Sequence, residues 1–204
     1  TTGLDSSSES IIEISAVKFI NGNKNKTFNQ LINPNKAISP FIEDLTGITT
    51  QMVQGKPQFI DVVDDFILFI GDLPIVGHNV DFDINFIKIH SNDKYHLYDT
   101  NIVNDTYLLS KLVLCSNVEF SLESISNYYG FSIEGSHRAT IDAINSGRVF
   151  IKLIYDLVEM PHALINQLCL IYNDRRSDLT NYHIINSTDK YIKPSNKNNV
   201  NSIY

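Results

Sequence analysis

From Ile11 to Ile20 the chain reads IIEISAVKFI, a run of β-branched residues that predicts a strand. The polar NGNKNK stretch follows, and Asn21-Gly22 within it is a two-residue turn signal. TFNQLINP predicts the returning strand, stopped by Pro34, so the pair predicts an antiparallel hairpin. In SPFIEDLTGIT, Ser39 suits an N-cap, Pro40 a first helical position and Gly47 the end of a short helix. Phe59, Val62, Val63, Phe66, Ile67 and Ile70 recur at helical spacing and predict a stronger helix that Gly71 closes. LPIVGHN is an apolar burst that predicts a buried strand running into a loop, and FDINFIKIH a helix with Phe82, Phe86 and Ile89 on one side.

HLYDT is read as a brief strand, TNIVNDTYLLSKLV as a helix, and SLESISNYYG as another helix between a Ser121 cap and a Gly130 stop. After the loop GSH, ATIDAINSGRVFIKLIYDLVEM predicts a long helix that tolerates Gly147 and breaks at Pro161. HALINQLCLIY is expected as a last amphipathic helix. From Asn173 onward Asn, Ser, Asp and Lys dominate and the periodicity fades. The pattern divides the chain into one domain, residues 1–172, and a polar linker or tail, residues 173–204, compatible with a further domain beyond it. A strand hairpin followed by helices and short buried strands is an α/β pattern: a mixed β-sheet flanked by α-helices.

Composition agrees with one domain: of 204 residues, 43% are hydrophobic and 19% charged, enough to build a core. The formal net charge of −7 leaves no broad basic footprint for nucleic acid. Any such contact is expected to be short, or assisted by metal ions or a partner. Cys115 and Cys169, with no secretory pattern, are expected as buried thiols in a reducing, cytoplasmic setting. No apolar run reaches the ~18–20 residues of a membrane span.

Two short stretches carry candidate chemistry. GHNVDFD places Asp83 on the first turn of a helix after a buried strand, with His78 and Asn79 in the polar loop between. Taken alone, Asp81 and Asp83 are ordinary helix-start acids, favoured there by the helix dipole. In SHRATIDA, His137 lies in a Gly/Ser loop and Asp142 about one turn into the long helix. A mobile imidazole beside a fixed carboxylate suits a general base next to a metal ligand. Taken alone, a surface histidine and a solvated aspartate explain the stretch as well.

Together, in this order after a buried strand and at the head of a long helix, the two stretches resemble the second and third motifs of the DnaQ-like (DEDDh) 3′→5′ exonucleases, a branch of the ribonuclease H-like fold. The stretch from Leu45 to Ile87, then LYDT and SLESISNYYGF, resembles the family's intervening sequence, and the likeness runs from Thr1 to about Leu157. It implies two divalent ions, Mg²⁺ or Mn²⁺, about 3.5–4 Å apart on carboxylates. Asp83 and Asp142 would be metal ligands and His137 the general base, an imidazole being suited to proton transfer near neutral pH. The product would be a 5′-mononucleotide from a 3′ end. Thr1, Thr2, Gly3 and Leu4 resemble the trailing part of the first motif and would line the pocket for the terminal nucleotide. His78 and Asn79 are candidates for the same pocket or for holding the loop.

The Asp-x-Glu of the first motif is absent, and Asp5, Glu9 and Glu13 are poor replacements for it. The expectation is therefore a chain cut just after those acids, lacking the first, central strand and with little activity of its own. The expected partners are single-stranded or frayed 3′ ends of DNA or RNA, and a DNA polymerase or a covalently linked further domain. The same residues leave open a non-catalytic ribonuclease H-like module for binding or assembly. His90, His96, His162 and His183 have no metal-ligand spacing. Asp99 is taken as structural and Asp81 as facing water.

Overall fold

The computed structural model describes residues 1–114, 119–161 and 163–164. Strand β1 (Glu13–Ile20) pairs antiparallel with β2 (Asn23–Leu31), with Ser15 opposite Asn29 and Ile20 opposite Asn23. The turn is Asn21-Gly22, at φ 51° and 74°. A two-residue turn with both φ values positive matches the twist of the strands, and Asn-Gly supplies it at little cost. A register shift between Lys18 and Phe19 bends β1.

Helix α1 (Pro40–Thr46) starts where Ser39 Oγ accepts the Ile42 N–H at 3.4 Å and ends at Gly47, φ 68°. A single turn, α2 (Thr50–Val53), follows under a Thr49 cap. Helix α3 (Phe59–Ile70) buries Phe59, Val62, Val63 and Phe66, the face its periodicity predicts. Strand β3 (Ile75–Gly77) leads into α4 (Val80–His90), which packs Ile84, Phe86 and Ile87 into the same core as α3 and the hairpin.

The next segment departs from the expected elements. HLYDT is not a strand but the one-turn helix α5 (Leu97–Thr100): Leu97 is buried and the Asn101 N–H closes onto its carbonyl at 2.9 Å. TNIVNDTYLLSKLV is not one helix. Strand β4 (Val103–Asp105) pairs parallel with β3, Ile75 opposite Val103 and Gly77 opposite Asp105. Helix α6 (Thr106–Val113) begins only after it, because the Asp105 carboxylate accepts the Tyr107 N–H at 2.8 Å and caps the new helix. Helix α7 (Leu122–Tyr128) starts at Ser121 as expected.

Helix α8 (Ala139–Glu159) lies on β1 and also packs against α6 and α7. Gly147 permits the first contact: a Cβ there would stand 2.5 Å from the Phe19 ring. Val149, Leu153 and Leu157 bury the rest of the helix with Leu109, Leu112 and Ile125. The thread Thr140 Oγ1–Ser15 Oγ (2.9 Å) and Ser15 Oγ–Phe28 carbonyl (2.8 Å) ties α8 across β1 to β2.

Among the described residues the strands form two separate two-stranded sheets, one antiparallel and one parallel, rather than one continuous mixed sheet. The expected helix after Pro161 falls mostly outside the described residues, and the polar tail, Cys115 and Cys169 fall wholly outside them. No helix among the described residues is long and apolar enough to cross a membrane.

Candidate active site

A cleft of about 1600 Å³ opens between the two sheets, and Thr1, Leu4, Glu13, His78, Asn79, Asp83, His137 and Asp142 all line it. Asp83 arrives there because β3 ends at Gly77 and Asn79 turns the chain through φ 56° into α4. Asparagine tolerates that left-handed conformation better than most residues. Gly77 is required here by space, since a Cβ would meet Val80 at 2.7 Å.

The Asp83 side chain is reached by solvent in the cleft, yet protein surrounds it. That enclosure pushes its carboxyl up to about 7, reinforced by Asp142 and Asp105. Burial likewise raises Asp142, against the His137 N–H and charge, with Glu13 adding to the rise. Asp142 Oδ1 accepts the His137 N–H at 3.3 Å, and His137 sits at φ 67° with its side chain exposed. The structure thus gathers Asp83, Asp142 and His137 from two distant stretches of chain. Among the described residues no group of three or more His, Cys, Asp or Glu side chains is arranged to hold a metal ion. Asp83 and Asp142 offer a two-carboxylate donor set of the hard oxygen type, with no lysine or arginine ion-paired to either among the described salt bridges. That is the chemistry a hard divalent cation requires.

His78 has a structural job. Burial lowers its pKa, so the ring is taken as neutral, against the opposing charge of Asp105 and the Phe120 carbonyl. Nε2–H then donates to the Phe120 carbonyl at 3.0 Å, and Nδ1 lies 3.0 Å from Thr106 Oγ1, whose hydroxyl donates to the Gly77 carbonyl at 3.0 Å. This clamps the loop after β3 to the start of α6. The Asn79 N–H donates to Asp105 Oδ1 at 3.1 Å.

The segment Thr1–Leu4 is held by local bonds. The Thr2 N–H donates to the Ser10 carbonyl (2.8 Å), the Ser10 N–H to Thr2 Oγ1 (2.9 Å), Thr1 Oγ1 to the Gly3 carbonyl (2.6 Å), and the Thr2 hydroxyl to Glu9. Leu4 is 86% exposed at the cleft mouth. Asp81 does not simply face water: it is half-buried and accepts the Tyr98 hydroxyl.

A family model described as Exonuclease matches residues 1–150. The chain belongs to this exonuclease family. It is a DnaQ-like member of the ribonuclease H-like superfamily. It is 33% identical over 187 residues to a DNA polymerase III PolC-type of Caldanaerobacter subterraneus subsp. tengcongensis, covering 90% of this chain and 13% of that one. It is 33% identical over 156 residues to the DNA polymerase III subunit epsilon of Aquifex aeolicus, covering 76% of this chain and 77% of the relative. The chain therefore spans about an eighth of the first relative and most of the second. Its fold resembles Exonuclease X in complex with 5′ overhanging duplex DNA (TM-score 0.61, 20% identity, 82% of this chain and 95% of that one). It also resembles the zinc-bound form of E. coli ExoI in a single-stranded DNA complex (TM-score 0.63, 17% identity, 90% and 41%).

Two residues at this exonuclease-family site escaped the sequence reading. Asp105 is 8% exposed and holds both Asn79 and the N-terminus of α6. The Asp-Thr pair ahead of YLLSKLV was its signal, an N-cap hidden inside a helix reading. Glu13 enters the sequence reading only as a poor replacement for the absent first-motif acids. Its side chain, 4% exposed, accepts from Arg138 Nε (3.1 Å), Arg138 Nη2 (2.8 Å) and the Ala139 N–H (2.9 Å). It caps α8 from a strand, since Arg138 offers no side-chain cap of its own.

Proposed function

We propose that this chain supplies the exonuclease domain of a metal-dependent 3′→5′ exonuclease that shortens single-stranded or frayed ends of DNA, or of RNA, releasing 5′-mononucleotides. The observation that carries the reading is the convergence of Asp83, Asp142 and His137 on one cleft within a member of the exonuclease family.

In this reading Asp83 and Asp142 hold divalent cations, two Mg²⁺ or Mn²⁺ in the complete site. Bound there, the ions would neutralise phosphate charge and favour the attacking and leaving oxygens. His137 takes the proton of the attacking water on an imidazole nitrogen. Its N–H bond to Asp142 fixes where the ring's loop stands relative to the carboxylate. Leu4, exposed at the mouth, presents an apolar surface to the terminal base, and Thr1, Thr2 and Gly3 shape the backbone beside it. His78 and Asn79 act by holding the loop from which Asp83 starts. A DNA polymerase or a covalently linked domain is the proposed partner, as the names of the relatives suggest for those proteins.

Among the described residues Asp83 and Asp142 are not part of a group of three or more side chains arranged to hold a metal ion. This favours a second statement: the chain alone has little activity, and a strand bearing Asp-x-Glu ahead of Thr1 restores it. The test incubates that extended protein with a 5′-labelled single strand and Mg²⁺ or Mn²⁺. Stepwise shortening that vanishes in Asp142→Ala and in chelator is expected. Unchanged degradation by Asp142→Ala would overturn the site assignment, and robust metal-dependent activity from the 204-residue chain would overturn the second statement.

A further inference from the structure

From Ile14 to Ile42 the chain carries four lysines and no acidic residue, in a protein with a net charge of −7. Lys36 is ion-paired with Glu9 at 2.7 Å. Lys18, Lys24 and Lys26 enter no salt bridge among the described residues. All three stand near the tip of the β1–β2 hairpin, around the Asn21-Gly22 turn.

Their placement works against the hairpin. Lys18 and Lys26 are directly opposite each other across the antiparallel pair. Like charges in that position repel and destabilise a sheet. The register shifts immediately afterwards, and Lys24 comes opposite Phe19. Alternation puts Lys24, Lys26 and Phe28 on one face of β2. Phe28 packs there on Phe66 and Phe69 of α3. Lys18 joins that face, its Nζ 4.8 Å from the centre of the Phe69 ring. Lys24 and Lys26 are exposed and Lys18 is half-buried.

An anion relieves such repulsion, and the spacing selects a chain of anions. Lys24 and Lys26, two residues apart on a strand, are about 6.6–6.8 Å apart. That is the separation of successive phosphates along an extended nucleic-acid strand. The exposed amides of Asn21, Asn23 and Asn25 add neutral donors around the same tip. Lys18 and Lys26 line the same cleft as Asp83 and Asp142. Yet Ile20, at the tip, is seven residues along β1 from Glu13, about 23 Å at strand spacing. Glu13 caps the helix that carries Asp142, so the lysines are well removed from the acids.

We propose that Lys18, Lys24 and Lys26 form an anchoring site for the sugar–phosphate backbone of a single-stranded nucleic acid, a second contact apart from the candidate catalytic residues. The site reads no bases. Anchoring raises the local concentration of the strand's end on a protein whose overall charge repels it. The site rests on the hairpin geometry, and the choice of nucleic acid among polyanions rests on the exonuclease reading.

The probe is a fluorescein-labelled oligothymidylate, titrated by anisotropy with the 204-residue chain in chelator. The triple variant Lys18→Gln, Lys24→Gln, Lys26→Gln is expected to bind at least about ten-fold more weakly at low salt. The slope of log K against log salt should flatten by about 2, since each single-strand phosphate contact contributes about 0.7. Its Tm at low salt should hold or rise, because the Lys18–Lys26 repulsion is gone. Lys24→Glu, at an exposed position, gives a second reading: weaker binding at unchanged Tm. An abasic strand of equal length should bind the unaltered chain within about two-fold. Unchanged affinity and slope in both variants would overturn the proposal. So would a lower Tm accompanying every loss of binding, which would assign the lysines to the fold. A polyglutamate peptide held as tightly through the same lysines would make the face a site for an acidic protein and overturn the choice of nucleic acid. No readout uses cleavage, so this proposal and the assignment of Asp83, Asp142 and His137 fail separately.

Discussion

Glu13 is the residue on which the mouth of the site depends, because its carboxylate is the N-terminal cap of the helix that carries Asp142. Burial alone would raise its pKa, but the Arg138 guanidinium and the Ala139 N–H hold it below the usual carboxylate range. The stability it contributes is therefore present above the unfolded pKa, near 4.5, and is lost as pH falls through the lower folded value. Glu13→Gln is expected to cost about 1.5–3 kcal/mol at pH 7, the range for hydrogen bonds to charged groups. In urea unfolding series that difference should stay level above about pH 5 and shrink below it. A difference that persisted unchanged at pH 3 would contradict the cap. Asp83, Asp142 and His137 were legible in the sequence because their order and local setting resemble family motifs. The Glu13–Arg138 pair was not, because it joins residues that no local pattern relates.

Among the elements, the long, strongly periodic ones were read correctly: the hairpin with its Asn-Gly turn, α3 and α8. The misreadings cluster between His96 and Thr106, where elements are three or four residues long and too short for any period to show. There the deciding forces are not local: pairing with β3 makes a strand of Val103–Asp105, and an aspartate cap starts the next helix. Asp105→Ala is expected to lower stability by about 1–2 kcal/mol through the lost cap. Its effect on the Asn79 N–H should also appear as faster amide exchange at the start of α4. Unchanged stability would place the cap elsewhere. Gly147 was read only as tolerated by the helix. With Phe19 against it, Gly147→Val is expected to destabilise by about 1–3 kcal/mol as an overpacking change, despite valine's better helix propensity. A chemical-denaturation midpoint that rose would show that α8 does not approach β1 this closely.

At the scale of the whole molecule, one cleft joins the two sheets' open sides to the acids and histidine at its mouth. The sequence pattern predicted an α/β chain, but not which strands would pair: among the described residues β1 pairs with β2 and β3 with β4, in two separate sheets. Hydrophobic patterning reports which face of a strand is covered, and not which neighbour covers its edge. The central claim is that Asp83, Asp142 and His137 serve metal-dependent removal of nucleotides from a 3′ end. The most direct measurement compares one single-stranded DNA labelled at either end, digested with Mn²⁺ by the chain extended with an Asp-x-Glu strand. The account predicts a descending ladder from the 5′-labelled strand, immediate release of labelled mononucleotide from the 3′-labelled strand, and loss of both in chelator. Labelled mononucleotide released first from the 5′ end, or internal cuts that need no metal, would contradict it.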